Sequence, residues 1–202
     1  MFTKITLENF RSFDHIELDL TEKGNTAKHL AILYGENGAG KSNLMSAFVL
    51  LPELTRTMDA RAAYERILAQ GAIFQDENME KEMREHIRQR LRDMSAIIKD
   101  YQMADCENPI IAEYEFNIDG NNGCYRVEFG QDEILHERLE FVLNRRRGLY
   151  FDCSVTGINI NDSIVEKEQG KEFLTDVKEM AKRYWGKHSL LAILIYEMKD
   201  KS

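Results

Sequence analysis

Eight consecutive residues carry the clearest chemistry in this chain: Gly35-Glu36-Asn37-Gly38-Ala39-Gly40-Lys41-Ser42. They fit the spacing G-x-x-x-x-G-K-[ST], and each fixed position has a physical purpose. Glycines let successive backbone N–H groups turn inward around phosphate oxygens, a concavity that side chains would crowd. Lys41 supplies a point charge for the β- and γ-phosphates, and the Ser42 hydroxyl supplies a ligand for Mg²⁺. A helix starting here adds unpaired N–H groups and the positive end of its dipole. The chemistry implied is binding of the phosphates of ATP or a close relative, with Mg²⁺ completing the site. At ordinary residue frequencies a chance match in a chain of this length is about one in a hundred.

The flanking pattern strengthens the match. Leu30-Ala31-Ile32-Leu33-Tyr34 is apolar at nearly every position, which predicts a strand buried on both faces, as in a parallel sheet. After the loop, helical spacing runs from about Lys41 to Leu51, where Pro52 is expected to end or kink the helix. Before it, Phe2–Glu8 and His15–Leu20 alternate as strands, imperfectly in the first and with Ile16, Leu18 and Leu20 on one face in the second. The link between these strands is short, so they are expected to pair antiparallel. Glu53 to about Met103 consists mostly of good helix formers, with Met79, Met83, Ile87 and Leu91 forming a narrow apolar stripe. This predicts a helical layer with one solvated face; an arm that contacts a partner is the alternative. Past Pro109 the period returns to two, over Ile110–Ile118, Tyr125–Phe129, Ile134–Leu143 and Leu149–Val155, which predicts an antiparallel meander. From Asp162 onward the pattern is helical. The organisation read from these signals is a single unit over 1–202: strand pair, loop strand and helix in 1–52, helical insertion in 53–108, meander in 109–160, and terminal helices in 161–202.

Bulk properties bound the rest. The chain has 202 residues, 43% hydrophobic and 31% charged, with two prolines and a formal charge of −8. That charge speaks against binding nucleic acid by bulk electrostatics, while leaving a local basic patch open. No apolar run is long enough to span a membrane, and the N-terminus alternates like a strand where a signal peptide would be uniformly apolar. Three widely spaced cysteines, Cys106, Cys124 and Cys153, read as reduced thiols of a cytoplasmic protein rather than a disulfide frame or zinc site.

The opening Ile5-Thr6-Leu7-Glu8-Asn9-Phe10-Arg11-Ser12-Phe13, followed by a strand and Gly-Glu-Asn-Gly-Ala-Gly-Lys-Ser-Asn, resembles the SMC/RecF-like branch of ABC-type ATPases. Within that branch it is most similar to the AAA-type ATPases of OLD-like and abortive-infection anti-phage systems. The resemblance is specific over about residues 2–50 and weaker over the meander Ile110–Val155. It implies an α/β fold: a P-loop NTPase lobe, the ABC-type N-terminal lobe, with an antiparallel meander and a helical insertion. It further implies that Gly35, Asn37, Gly38, Ala39, Gly40, Lys41, Ser42 and Asn43 hold the nucleotide. Lys41 would be the catalytic cation and Ser42 the metal ligand. Arg11 sits where the family has a basic residue near the nucleotide, a surface charge being the competing reading. Phe13 lies against adenine or, in better accord with its surroundings, in the core.

The departures from the family are as informative. Its Walker B strand ending in Asp-Glu, its signature motif and its switch histidine have no match here. The nearest Walker B candidate, Leu191–Glu197, carries Tyr196 where the aspartate belongs and fits a helix equally well. Gln75 and Gln131 are the two positions open to the family's magnesium-contacting glutamine. Arg145-Arg146-Arg147 reads as a charged turn, with a DNA or phosphate contact as the alternative. The expectation is therefore the N-terminal lobe of a longer ATPase, completed by a homodimer partner or by a C-terminal half carrying Walker B and signature motifs. Its function would be ATP-dependent dimerisation gating a nucleic-acid-processing or anti-phage effector. A sensor that binds nucleotide without hydrolysing it is the alternative. A small P-loop kinase or GTPase is disfavoured, since no Asn/Thr-Lys-x-Asp motif or arginine-rich lid is present.

Overall fold

The computed structural model describes residues 1–22, 26–71, 92–143, 146–164 and 168–200. Among the described residues, seven strands and five α-helices follow one another: β1 (Phe2–Phe10), β2 (Phe13–Asp19), α1 (Lys41–Thr55), α2 (Thr57–Gly71), α3 (Met94–Tyr101), β3 (Ile110–Ile118), β4 (Asn121–Phe129), β5 (Ile134–Leu143), β6 (Arg146–Ser154), β7 (Gly157–Ile160), α4 (Glu168–Tyr184) and α5 (Leu190–Asp200).

The strands form one sheet in the order β2-β1-β3-β4-β5-β6-β7, and every neighbouring pair is antiparallel. The N-terminal strand pair and the meander thus share one sheet, as their alternation predicts. Register puts Ile5 opposite Tyr114, and Tyr114 opposite Tyr125. These residues, with Leu7, Ala112, Val127 and Phe151, make one fully buried face. The helices cover that face: Tyr114 donates its hydroxyl to the Ala47 carbonyl of α1 at 2.7 Å. The imperfect alternation of β1 has a cause. A register shift between Phe2 and Lys4 lets Phe2 join the core beside Phe48 and Tyr114, although Thr3 is also buried. The opposite face of the sheet is polar, with Arg126 paired to Glu113 and Arg138 to Asp152.

Three expectations need correction, and two further outcomes complete them. First, Leu30–Tyr34 is not a strand: Leu30 is 76% exposed, Ile32 81% and Tyr34 fully. All seven strands are committed to antiparallel partners, so a run suited to a parallel sheet finds no ladder among the described residues. Second, of the two outcomes expected at Pro52, the ending does not occur: α1 continues to Thr55. Buried Leu50 and Leu54 hold this end of the helix in the core, which offsets the one helical hydrogen bond that proline cannot make. Third, β6 begins at Arg146, opposite Leu143, so Arg146 and Arg147 are strand residues rather than a turn. Arg147 is spoken for by Glu140 at 2.8 Å. Fourth, of the two readings left open for Leu191–Glu197, the helical one holds, within α5. Fifth, β7 pairs with β6 across a tight turn that a four-residue strand is too short to announce. Gln75, Arg145 and the stripe Met79, Met83, Ile87 and Leu91 lie outside the described residues. Among the described residues the three cysteines are free, and no helix is long and apolar enough to cross a membrane.

Candidate phosphate-binding site

Helix α1 starts immediately after the glycine-rich loop, and its first turn is shaped by the residue before it. Gly40 caps the helix in the left-handed conformation, φ 83°, with no side-chain hydrogen bond. Leu44 N–H is bonded back to the Gly40 carbonyl at 2.9 Å, so the amides ahead of it have no partner within the helix. They are the donors that an anion at a helix start uses. Gly38 also has a positive φ, 86°, and its surroundings are open. Gly40 is constrained twice, because a Cβ there would sit 2.7 Å from Cζ of Phe13. Lys41 turns back over the loop and donates its ammonium to the carbonyls of Gly35 at 2.7 Å and Glu36 at 2.5 Å. Ser42 is exposed in the first helical turn.

The loop is braced by the turn between β1 and β2. Asn43 Nδ2 donates to the Ser12 hydroxyl at 2.8 Å, and the Phe13 ring lies against Gly40 while also packing on the core. Arg11, at φ 54°, donates its backbone N–H to the Tyr101 carbonyl at 2.8 Å. Its guanidinium lies 5.0 Å from the centre of the Tyr101 ring. Nε of Arg11 is buried and makes no hydrogen bond among the described residues.

The structure therefore brings Gly35, Asn37, Gly38, Ala39, Gly40, Lys41, Ser42 and Asn43 into one continuous loop and helix start, with Arg11 in the adjoining turn. Gln131 is exposed on the β4–β5 turn, with no described contact to the loop. Sequence reasoning missed the bracing role of Ser12 and the wedge made by Phe13. It also missed Tyr101, which lies outside any motif.

Donor chemistry suits a polyphosphate: two glycines at positive φ, free amides and a lysine ammonium converge at one helix start, with Arg11 in the adjoining turn. For Mg²⁺ the Ser42 hydroxyl fits as one ligand, since this ion takes few protein ligands and completes its shell with phosphate oxygens and water. Among the described residues no group of three His, Cys, Asp or Glu side chains could hold a metal alone. Wider grooves exist elsewhere. One of about 460 Å³ lies on the polar sheet face between Glu113, Arg126, Arg138 and Glu140. Its three arginines are already paired: Arg126 with Glu113, Arg138 with Glu140 and Asp152, and Arg147 with Glu140. The loop is the better candidate because phosphate recognition needs oriented unpaired donors, not a deep cavity.

A buried carboxylate elsewhere is structural. Glu137 of β5 accepts from Tyr125 Oη at 3.0 Å, Trp185 Nε1 at 2.9 Å and Leu190 N–H at 2.6 Å, so it caps the start of α5. Burial pushes its carboxyl above the ordinary value, with those donors opposing the shift.

A family model described as an AAA ATPase domain matches residues 1–121. In addition, 49 residues, 24% of the chain, are 41% identical to the DNA replication and repair protein RecF of Bacillus mycoides (strain KBAB4). That match spans 12% of the RecF chain.

Proposed function

The chain belongs to the AAA ATPase domain family, and on that premise we propose that it binds Mg-ATP through Gly35–Ser42 and uses the bound nucleotide to control association with a partner. The observation that carries the reading is the arrangement of Lys41. Its ammonium is folded onto the Gly35 and Glu36 carbonyls, inside the curve made by Gly38 and Gly40. Phosphate oxygens would compete with those carbonyls for the same charge, and as full anions they would win. The amides of the first turn of α1 would take the remaining oxygens, Ser42 would contribute to Mg²⁺, and Arg11 would add a second cation.

The association reading is supported by the apolar run Leu30–Tyr34, which is exposed and whose composition suits burial in a parallel sheet. A second copy of the chain, or a segment carrying the Walker B and signature motifs, would supply what the loop lacks. Similarity to RecF, a protein named for DNA replication and repair, supports a nucleic-acid-processing effector as the process controlled. A second reading, a nucleotide sensor without turnover, is favoured by one observation. The nearest Walker B candidate lies in helix α5, and no strand among the described residues ends in an aspartate–glutamate pair. Phosphoryl transfer depends on positioning the attacking water and stabilising charge, so this chain alone is expected to bind ATP and turn it over negligibly.

One experiment tests both readings. Mg-ATP at 100 times its Kd should add about 2.7 kcal/mol of stability, and Lys41→Ala should remove most of that gain while the fold persists. An equal ATP-induced rise in Tm in both proteins refutes the site. Lysine-dependent phosphate release near 1 s⁻¹, on the order of ordinary ATP-using enzymes, refutes the view that the chain lacks catalytic groups.

A further inference from the structure

Tyr101 belongs to no motif, yet it touches the one cation of the site whose position the loop does not explain. The Arg11 guanidinium lies 5.0 Å from the Tyr101 ring centre, within reach of a cation–π attraction. No ion pair or side-chain hydrogen bond of Arg11 is described, and its Nε is buried without a partner. The aromatic face is thus the described feature that decides where this charge sits.

The ring in turn is held on several sides. It stacks on Phe10 with 5.2 Å between centroids. The Tyr101 carbonyl accepts the Arg11 N–H at 2.8 Å, which fixes the turn at its left-handed residue. Its hydroxyl donates to Oε2 of Glu53, in the last turn of α1, at 2.9 Å. Oε1 of the same glutamate receives Arg92 at 2.5 Å, and Arg92 also reaches Asp100. Burial and the neighbouring Glu53 carboxylate push the Tyr101 hydroxyl well above its ordinary range, so it remains a donor. A chain of direct contacts therefore runs from Arg92 through Glu53 and Tyr101 to Arg11. From there the turn continues to Ser12 and Phe13, which touch Asn43 and Gly40.

We propose that Tyr101 is a positioning residue for Arg11, itself held by Glu53 and Arg92, and that this relay sets the affinity of the loop for nucleotide phosphates. The inference rests on the reading of Gly35–Ser42 as an ATP site. The buried Nε of Arg11, left without a partner, is a costly donor unless an acceptor completes it. An aromatic platform that holds the group in one place reduces the ordering required when the anion arrives.

The test is a titration of the purified chain with a fluorescent methylanthraniloyl-ATP in the presence of Mg²⁺. Arg11→Ala and Tyr101→Leu are each expected to weaken Kd roughly tenfold, a size in keeping with a desolvated cation–π contact. Tyr101→Phe and Glu53→Gln keep the ring and are expected to cost roughly two- to threefold. In an Arg11→Ala background all three second-site effects should vanish, because they act only through the arginine. A residue with a merely structural role would give losses that add, and additive losses overturn the proposal. An unchanged Kd in Arg11→Ala overturns it as well, while a Lys41→Ala control that abolishes binding leaves the ATP site standing. Absence of binding by the wild type refutes the ATP site itself and the relay with it. Should Tyr101→Leu fail to fold, Tyr101→Phe and Glu53→Gln decide the question by the same cycle.

Discussion

Replacing Gly40 by alanine should damage the loop by two separable routes, and the structure sizes each. At φ 83° a residue with a Cβ meets its own backbone, which costs about 1–2 kcal/mol. The new methyl would also lie 2.7 Å from Cζ and 3.0 Å from Cε1 of Phe13; relieving such overpacking costs typically about 1–3 kcal/mol. Gly40→Ala is therefore expected to destabilise by about 2–5 kcal/mol. Gly38→Ala provides the control, because Gly38 shares the positive φ but has nothing within 4 Å of its would-be Cβ. Its cost should stay near about 1–2 kcal/mol. Phe13→Leu, which withdraws the ring edge, should rescue the steric part alone, giving a coupling of about 1–3 kcal/mol in the double variant. Urea denaturation with unchanged m-values measures all four variants against wild type. If Gly40→Ala is no worse than Gly38→Ala, or if Gly40→Ala and Phe13→Leu simply add, Phe13 does not wedge the loop and the bracing described above is wrong.

Two pH effects of opposite sign should accompany these. Burial raises the Glu137 carboxyl above 4.5, so the folded state binds this proton more tightly, and the contribution of Glu137 to stability falls as pH rises from 4.5 through the folded pKa. The unfolding free energy of wild type minus that of Glu137→Gln should be smaller at pH 8 than at pH 4.5; a difference independent of pH would contradict this. His188 is held down at about 4, mainly by burial and secondarily by the Arg61 charge, so its contribution is lost as pH falls from 6.5 through 4. NMR should find its imidazole neutral at pH 5.5, and an apparent midpoint near 6.5 would show that the ring is solvated.

What the sequence revealed depended on how local the physics was. The loop, the start of α1 and the strand pair were legible because glycine spacing and period-two alternation act within a few residues. Alternation also announced β3, β4 and β5, since one face of each is buried on the helices. Pro52 misled because the rule for proline is local whereas the burial of Leu50 and Leu54 is tertiary. Leu190–Tyr196 was ambiguous because a short apolar run fits a buried strand or a buried helix equally. Its helical outcome follows from a distant residue: the Glu137 carboxylate accepts the Leu190 N–H at 2.6 Å, and Ser189 caps the Ala192 N–H at 3.0 Å. Tyr101 and Ser12 were invisible for a like reason, as their partners lie 48 and 31 residues away.

The exposed run before the loop explains why the contacts of Ser12 and Phe13 carry so much of its geometry. A strand leading into a phosphate loop ordinarily fixes the entry angle through ladder hydrogen bonds on both sides. Here Leu30–Tyr34 has no ladder, and Leu33 is the one residue of the run packed against the core. The loop is therefore held firmly on its exit side, where Leu44, Ala47 and Leu50 anchor α1 to the sheet, and only loosely on its entry side. Between the two sits the β1–β2 turn, which meets the loop through a single hydrogen bond and a single ring contact. That turn is in turn continuous with β1, whose Ile5 and Leu7 are fully buried, so the rigidity of the sheet reaches the loop through Ser12 and Phe13. A partner strand beside Leu30–Tyr34 would fix the entry side directly and reduce the share carried by the turn. Nucleotide affinity and partner association would then be linked through one structural element, because each orders the same five residues for the other.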